Sequence, residues 1–214
     1  LGGGADTIDI GNLTGTSIIP DTITIFAGDG DDTVYGQEGA DDIDGGLGDD
    51  VIDGGMDDDY IVGGAGDDTV NASSTTLNSD DQVNLGAGAD TLTVAAAGNG
   101  NILANFQGIE TVKGTNTGGN YQMNMISATD VDAVVSRLSS AQVTYNNLQN
   151  LTSVEAYGVT GGSVVEANYT NSLASGSSDS LTLKADAGSN VVFEVSGVTD
   201  TNEFETINLE SNGS

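Results

Sequence analysis

The chain of 214 residues has no cysteine, no histidine and no tryptophan, a single proline (Pro20), and only three basic residues, Lys113, Arg137 and Lys184. Each scarcity excludes something. Without cysteine there is neither a disulfide framework nor a thiol nucleophile. Without histidine there is no Ser-His-Asp or Cys-His site, no HExxH zinc helix and no imidazole ligation. The 33 acids set against those three bases give a formal net charge of −30, which argues against nucleic acid, whose phosphates would be repelled. No Walker loop is present, no apolar run is long enough to span a membrane, and neither an initiator Met nor a signal peptide is seen.

What is present is glycine and aspartate in a strict period. Over residues 27–71 one nine-residue unit is written five times without a gap, beginning at Ala27, Gly36, Gly45, Gly54 and Gly63; the third copy reads Gly45-Gly-Leu-Gly-Asp-Asp-Val-Ile-Asp53. The sixth place is always Asp: Asp32, Asp41, Asp50, Asp59, Asp68. The eighth is always aliphatic: Val34, Ile43, Ile52, Ile61, Val70. Glycines in the first, second and fourth places permit dihedrals closed to other residues, so the chain can turn tightly. The last three residues then form a short strand whose middle side chain points inward. One unit cannot bury that side chain, but stacked units can. A random acidic linker would not place its aliphatic residues so strictly. Gln37, Asp57 and Ala27 depart from the glycine pattern.

This stretch resembles the RTX (repeats-in-toxin) family of calcium-binding parallel β-rolls. The resemblance implies Ca²⁺ as cofactor, several ions held between facing turns. Position-six carboxylates and backbone carbonyls of the glycine-rich turns would be the ligands, hard oxygens of the kind that Ca²⁺ prefers. On this reading the metal-binding residues are Asp6, Asp32, Asp41, Asp50, Asp59, Asp68, Asp81 and Asp90, with the neighbouring Asp31, Asp49, Asp58 and Asp67. The turn glycines are Gly28, Gly30, Gly36, Gly39, Gly45, Gly46, Gly48, Gly54, Gly55, Gly63, Gly64, Gly66 and Gly88. Counting turns gives roughly three to seven ions. Residues 1–93 hold 21 of the 33 acids and no base. Self-repulsion would oppose folding there unless counter-ions bound.

Around this centre the chain divides in two. Residues 1–93 are expected to be the calcium-binding roll. Residues 1–9 form one unit, 10–26 interrupt it, and 85–93 nearly complete another. Beyond 94 the glycine code fades while polar/apolar alternation, the mark of half-buried strands, continues. Residues 94–214 are therefore read as a β-rich region of wider coils or a small sandwich, making the whole all-β. One short helix is expected near 130–140. Thr129-Asp-Val-Asp132 matches a capping box, and Val131, Val134, Val135 and Leu138 follow helical spacing. Glu110, Glu155 and Glu205 echo one another before alternating segments and suggest a structural ladder rather than catalytic acids. Tyr121, Tyr145, Tyr157 and Tyr169 are expected in the partial core.

The broader texture, rich in Ala, Gly, Thr, Asn, Ser and Asp, looks like RTX-type bacterial S-layer proteins and also like large RTX adhesins. That resemblance implies a non-enzymatic structural role at the bacterial cell surface and export by type I secretion. It also implies self-association into a lattice, with cell-surface polysaccharide as a further partner. The alternative is a folding and secretion module of a secreted enzyme, toxin or adhesin. The chain starts inside a repeat, which suggests a piece of a longer protein.

Overall fold

The computed structural model describes residues 2–10, 22–97, 99–102, 105–116, 118–125, 127–128, 130–137, 142–149, 153–157, 164–169, 180–186, 192–196 and 206–212. These form an all-β parallel solenoid. The strands in chain order are β1 Thr7–Asp9, β2 Thr24–Asp29, β3 Thr33–Tyr35, β4 Asp42–Leu47, β5 Val51–Asp53, β6 Tyr60–Ala65, β7 Thr69–Ser73, β8 Gln82–Ala87, β9 Thr91–Ala96 and β10 Gly100–Ile102. They continue as β11 Asn105–Gln107, β12 Thr111–Asn116, β13 Tyr121–Asn124, β14 Ala133–Arg137, β15 Val143–Leu148, β16 Ser153–Tyr157, β17 Val164–Tyr169, β18 Ser180–Asp186, β19 Val192–Ser196 and β20 Thr206–Asn212. Two compact units can be distinguished, Leu1–Val94 with Leu103–Ile109, and Ala95–Ile102 with Glu110–Ser214.

In the first unit alternate strands go to alternate sheets. One runs β1-β3-β5-β7-β9 and the other β2-β4-β6-β8-β11. The nine-residue period dictates this. Each unit ends in one strand, so two units make one coil of 18 residues. Ile43 accordingly pairs with Ile61, and Val34 with Ile52. The position-eight side chains point inward and are buried: Val34, Ile43 and Ile52 are 0% exposed. Burial of each such side chain is worth about 1.5–3 kcal/mol, and in a coil this thin it comes only from the neighbouring coils.

The second unit uses longer coils. Its sheets run β12-β14-β16-β18-β20 and β10-β13-β15-β17-β19. Val112 pairs with Val134, Val134 with Val154, and Val154 with Leu183, steps of 22, 20 and 29 residues. These are the wider coils, not a sandwich. Their larger interior is filled by Tyr121, Tyr145, Met123 and Leu148, all fully buried. Tyr145 donates its hydroxyl to the Val135 carbonyl at 3.2 Å, through the space that Gly114 leaves by lacking a Cβ. Tyr157 is half-buried beneath the Arg137 guanidinium, 5.7 Å from its ring centre.

Three expectations need correction or restriction. The helix near 130–140 is instead strand β14, hydrogen-bonded in parallel to β12 and β16. Val134 faces the core while Val135 lies on the outer face, yet both are buried. A strand covered on both sides carries consecutive valines, and these imitate helical spacing. Thr129 and Leu138 lie outside the described residues. The glutamate echo is not one ladder. The register puts Glu155 level with Val135, Lys113 and Lys184, so Glu110 is out of line. Glu205, the side chain of Tyr169, and Pro20 lie outside what is described.

Candidate calcium sites

The turns of the first unit stack along two edges. One carries turns 28–32, 45–50, 63–68 and 86–90, with Asp6 in the coil before them. The other carries 36–41, 54–59 and 78–81. The sixth-place aspartates are buried on both edges: Asp32, Asp41, Asp50, Asp59, Asp68, Asp81 and Asp90. Burying a carboxylate is costly unless it is hydrogen-bonded and paired, and here only half of that requirement is met by protein. On the first edge Asp32 Oδ1 accepts the Asp6 backbone N–H at 2.7 Å, Asp50 Oδ1 that of Asp32 at 2.8 Å, Asp68 Oδ1 that of Asp50 at 2.9 Å, and Asp90 Oδ1 that of Asp68 at 2.8 Å. On the second edge Asp41 serves Ile23, Asp59 serves Asp41, and Asp81 serves Asp59. The second oxygens of Asp32, Asp41, Asp50 and Asp68 are buried with no hydrogen-bond donor.

Those orphaned oxygens face other oxygens. A Cβ added to Gly45 would collide with Asp50 Oδ2 and the Gly63 carbonyl. One on Gly36 would meet Asp41 Oδ2 and the Gly54 carbonyl, and one on Gly63 would meet Asp68 Oδ2 and the Leu85 carbonyl. The glycines in second and fourth place add two columns of carbonyls. Gly46 lies over the Gly28 oxygen, Gly64 over that of Gly46, Gly48 over that of Gly30, and Gly66 over that of Gly48. Gly46 and Gly48 hold φ of 110° and 120°, a region closed to side chains. Gly86, missing from the expected ligand set, continues the first column above Gly64; its second place in the 85–93 unit was the available signal.

This arrangement suits a hard cation. Unpartnered carboxylate oxygens and carbonyls converge where no side chain stands, and Ca²⁺ takes six to eight such oxygens. Among the described residues no three acids form a carboxylate-only cluster, so the backbone must supply much of the shell. The fifth-place acids border it on the exposed side, and Asp49 Oδ1 would stand 2.9 Å from a Cβ on Gly66, beside the Gly48 carbonyl. Asp31, Asp49 and Asp67 are exposed, and their Oδ1 atoms accept the N–H groups of Asp49, Asp67 and Ala89 at 2.9, 2.8 and 2.8 Å. Asp58 accepts from Asn78 Nδ2 at 3.3 Å. Gly39, Gly55 and Gly4 take positive φ in their own turns, while Gln37 and Asp57 adopt φ of 77° and 72° in places where glycine is the rule.

Without an ion the carboxyls resist ionisation. Desolvation pushes Asp59 and Asp68 up to about 7, helped by neighbouring acids and opposed by the backbone N–H each accepts. Desolvation raises Asp41, Asp50 and Asp81 in the same way. Asp53, absent from the sequence-based set, is raised too; it stands in ninth place, where nothing in the period marks it.

Comparison with known proteins agrees with this geometry. The family of the RTX calcium-binding nonapeptide repeat (four copies) matches residues 24–52, 35–70 and 76–93, about a third of the chain. No curated protein and no solved structure matches it.

Proposed function

We propose that the chain, whose residues 24–70 and 76–93 match the RTX calcium-binding nonapeptide repeat, is a calcium-folded structural piece of the bacterial cell surface, of the S-layer type. The observation that carries the calcium part is the row of buried, donor-free Oδ2 atoms on Asp32, Asp41, Asp50 and Asp68. Each is an acceptor of the kind that Ca²⁺ takes as a ligand. Low calcium leaves the acidic first unit extended by repulsion, and millimolar calcium outside the cell folds it. Ion binding is then folding free energy, and export of an unfolded chain precedes assembly.

The structural part rests on the second unit. Its wider coils are linked by neutral side-chain contacts. Asn168 Nδ2 donates to Asn146 Oδ1 at 2.9 Å, and Asn147 Nδ2 to Asn124 Oδ1 at 2.7 Å. Glu155 is held by Lys184 at 2.9 Å, by Ser153 and by Tyr157. These contacts engage Glu155, one of the three echoed acids, in a fixed network and favour a non-enzymatic role, with self-association or cell-surface polysaccharide as partner. The second reading, a folding and secretion module attached to an enzyme, toxin or adhesin, is favoured by the repeats themselves. A calcium titration followed by circular dichroism and light scattering separates the two. A cooperative, chelator-reversible gain of β signal with growth of large ordered particles is expected. A compact monomer in the same step supports the appended module, and no spectral response removes the calcium reading.

A further inference from the structure

The two edges of the first unit are unequal, and the inequality is concentrated in the turn over residues 72–81. This turn replaces the glycine-rich half of a unit and is four residues longer. Asp59 reaches Asp81 across 22 residues, where Asp32 reaches Asp50 across 18. Its interior is closed by its own polar groups. Ser73 accepts the N–H groups of Thr76 and Leu77 on its carbonyl at 3.2 and 3.0 Å. Leu77 is buried. It walls a small cavity together with Ile61 and Val70, facing Asp53 and Asp59.

Two observations distinguish this level from the others. First, Asp81 has no spare oxygen. Its Oδ1 accepts the Asp59 N–H at 2.7 Å and its Oδ2 accepts the Asn78 N–H at 2.6 Å. The corresponding Oδ2 atoms of Asp41, Asp50 and Asp68 have no donor. Second, the facing carbonyl does not come as close. Beside Gly36, Gly45 and Gly63 a carbonyl of the next coil stands with the carboxylate, whereas beside Gly54 the third-nearest atom is Ile61 Cδ1 at 3.0 Å and no carbonyl lies nearer. Asn78 takes over what an ion would do. Its backbone N–H holds Asp81, its side-chain amide donates to Asp58 at 3.3 Å, and its side-chain oxygen accepts the Asp80 N–H at 2.8 Å.

We propose that residues 72–81 form a calcium-independent closure of the second edge, with Asn78 replacing the ion between the 54–59 turn and Asp81. The proposal rests on the calcium reading of the other turns. The closure assigns Asp81 a structural rather than a ligating role.

Native mass spectrometry of the full chain in saturating calcium counts the bound ions. Asp81→Asn is expected to keep the wild-type count, and Asp68→Asn, on the other edge, to lower it. Replacing residues 72–80 by the glycine-rich sequence Gly-Gly-Ala-Gly-Asp of residues 63–67 restores the regular spacing before Asp81 and is expected to add an ion. A reduced count for folded Asp81→Asn, or an unchanged count for the folded replacement, overturns the proposal. If Asp81→Asn does not fold, the replacement decides alone. Should the replacement not fold in calcium either, a glycine-rich turn cannot stand there and the proposal is likewise overturned. A wild-type chain that binds no calcium overturns both the proposal and the calcium reading beneath it. A wild-type count that falls on Asp68→Asn upholds that reading whatever Asp81 does.

Discussion

Asp50 and Ile52 stand two places apart in one repeat and do different work. Asp50 accepts the Asp32 N–H on one oxygen, donates its own N–H to Asp68, and leaves the other oxygen buried without a donor. Ile52 is wholly buried between Val34 and Val70, to which it is paired. Asp50→Ala therefore removes an ion ligand and orphans a buried N–H, the latter worth about 1–3 kcal/mol. Ile52→Ala opens a cavity worth about 2–5 kcal/mol and touches no ligand. Because folding and ion binding are linked, both variants should need more calcium to fold. Their ion counts should separate them. Once folded in saturating calcium, Ile52→Ala should carry the wild-type number of ions and melt earlier, while Asp50→Ala should carry fewer. Equal counts for Asp50→Ala and wild type would remove Asp50 from the ligand set.

The element that responds to pH is the ladder of stacked turns. In the calcium-free roll Asp59 and Asp68 titrate near 7 against an ordinary value of 3.8, and Asp41, Asp50, Asp53 and Asp81 are raised as well, desolvation leading in every case. Raised folded-state values mean that the folded ladder binds more protons than the unfolded chain between about pH 4 and 7. Stability of the calcium-free roll should therefore fall as pH rises through that window and be least above 7. Protons and calcium compete for the same oxygens. Calorimetry at pH 6 in buffers of different ionisation enthalpy should show proton release on calcium binding, and circular dichroism without calcium should show more β signal at pH 5 than at pH 7.5. A proton-neutral titration would mean that these carboxyls are ionised before the ion arrives. Much of the ladder was legible in the sequence, because a nine-residue period gives every side chain a fixed role: aspartate sixth, aliphatic eighth. Strand β14 was not, since Val134 and Val135 are buried on opposite faces and spacing alone cannot tell that from a helix. Nor was the turn at 72–81. Asn78 acquires its role only because coiling brings Asp58 and Asp81 to it.

Across the whole molecule, charge separates what needs calcium from what does not. Residues 1–93 hold 21 of 33 acids and none of the three bases. The second unit places its bases on the outer face of one sheet, where the cross-strand row runs Lys113, Val135, Glu155, Lys184, Glu210. Lys184 pairs with Glu155, whose carboxyl is held below the usual range by the hydrogen bonds from Tyr157, Lys184 and Ser153, against a desolvation that alone would raise it. Opposite charges facing one another across strands are mildly stabilising, whereas like charges in that position repel. Among the described residues the core of this unit holds Tyr121, Met123, Tyr145 and Leu148, and its buried polar side chains are the neutral Asn116, Ser136 and Thr144. Among the described residues no carboxylate is buried in that core, while every coil of residues 24–93 brings a buried carboxylate with it. Hydrogen exchange of the intact chain should therefore change unevenly when calcium is chelated. Amides over 24–93 should lose most of their protection, since repulsion returns and the carboxylates lose their ions. Amides of β14, β15 and β16 should keep a larger share of theirs. Equal loss in both regions would show that the second unit draws its stability from the calcium-loaded coils, and unchanged protection over 24–93 would show that the roll is held by its aliphatic column and backbone ladder alone.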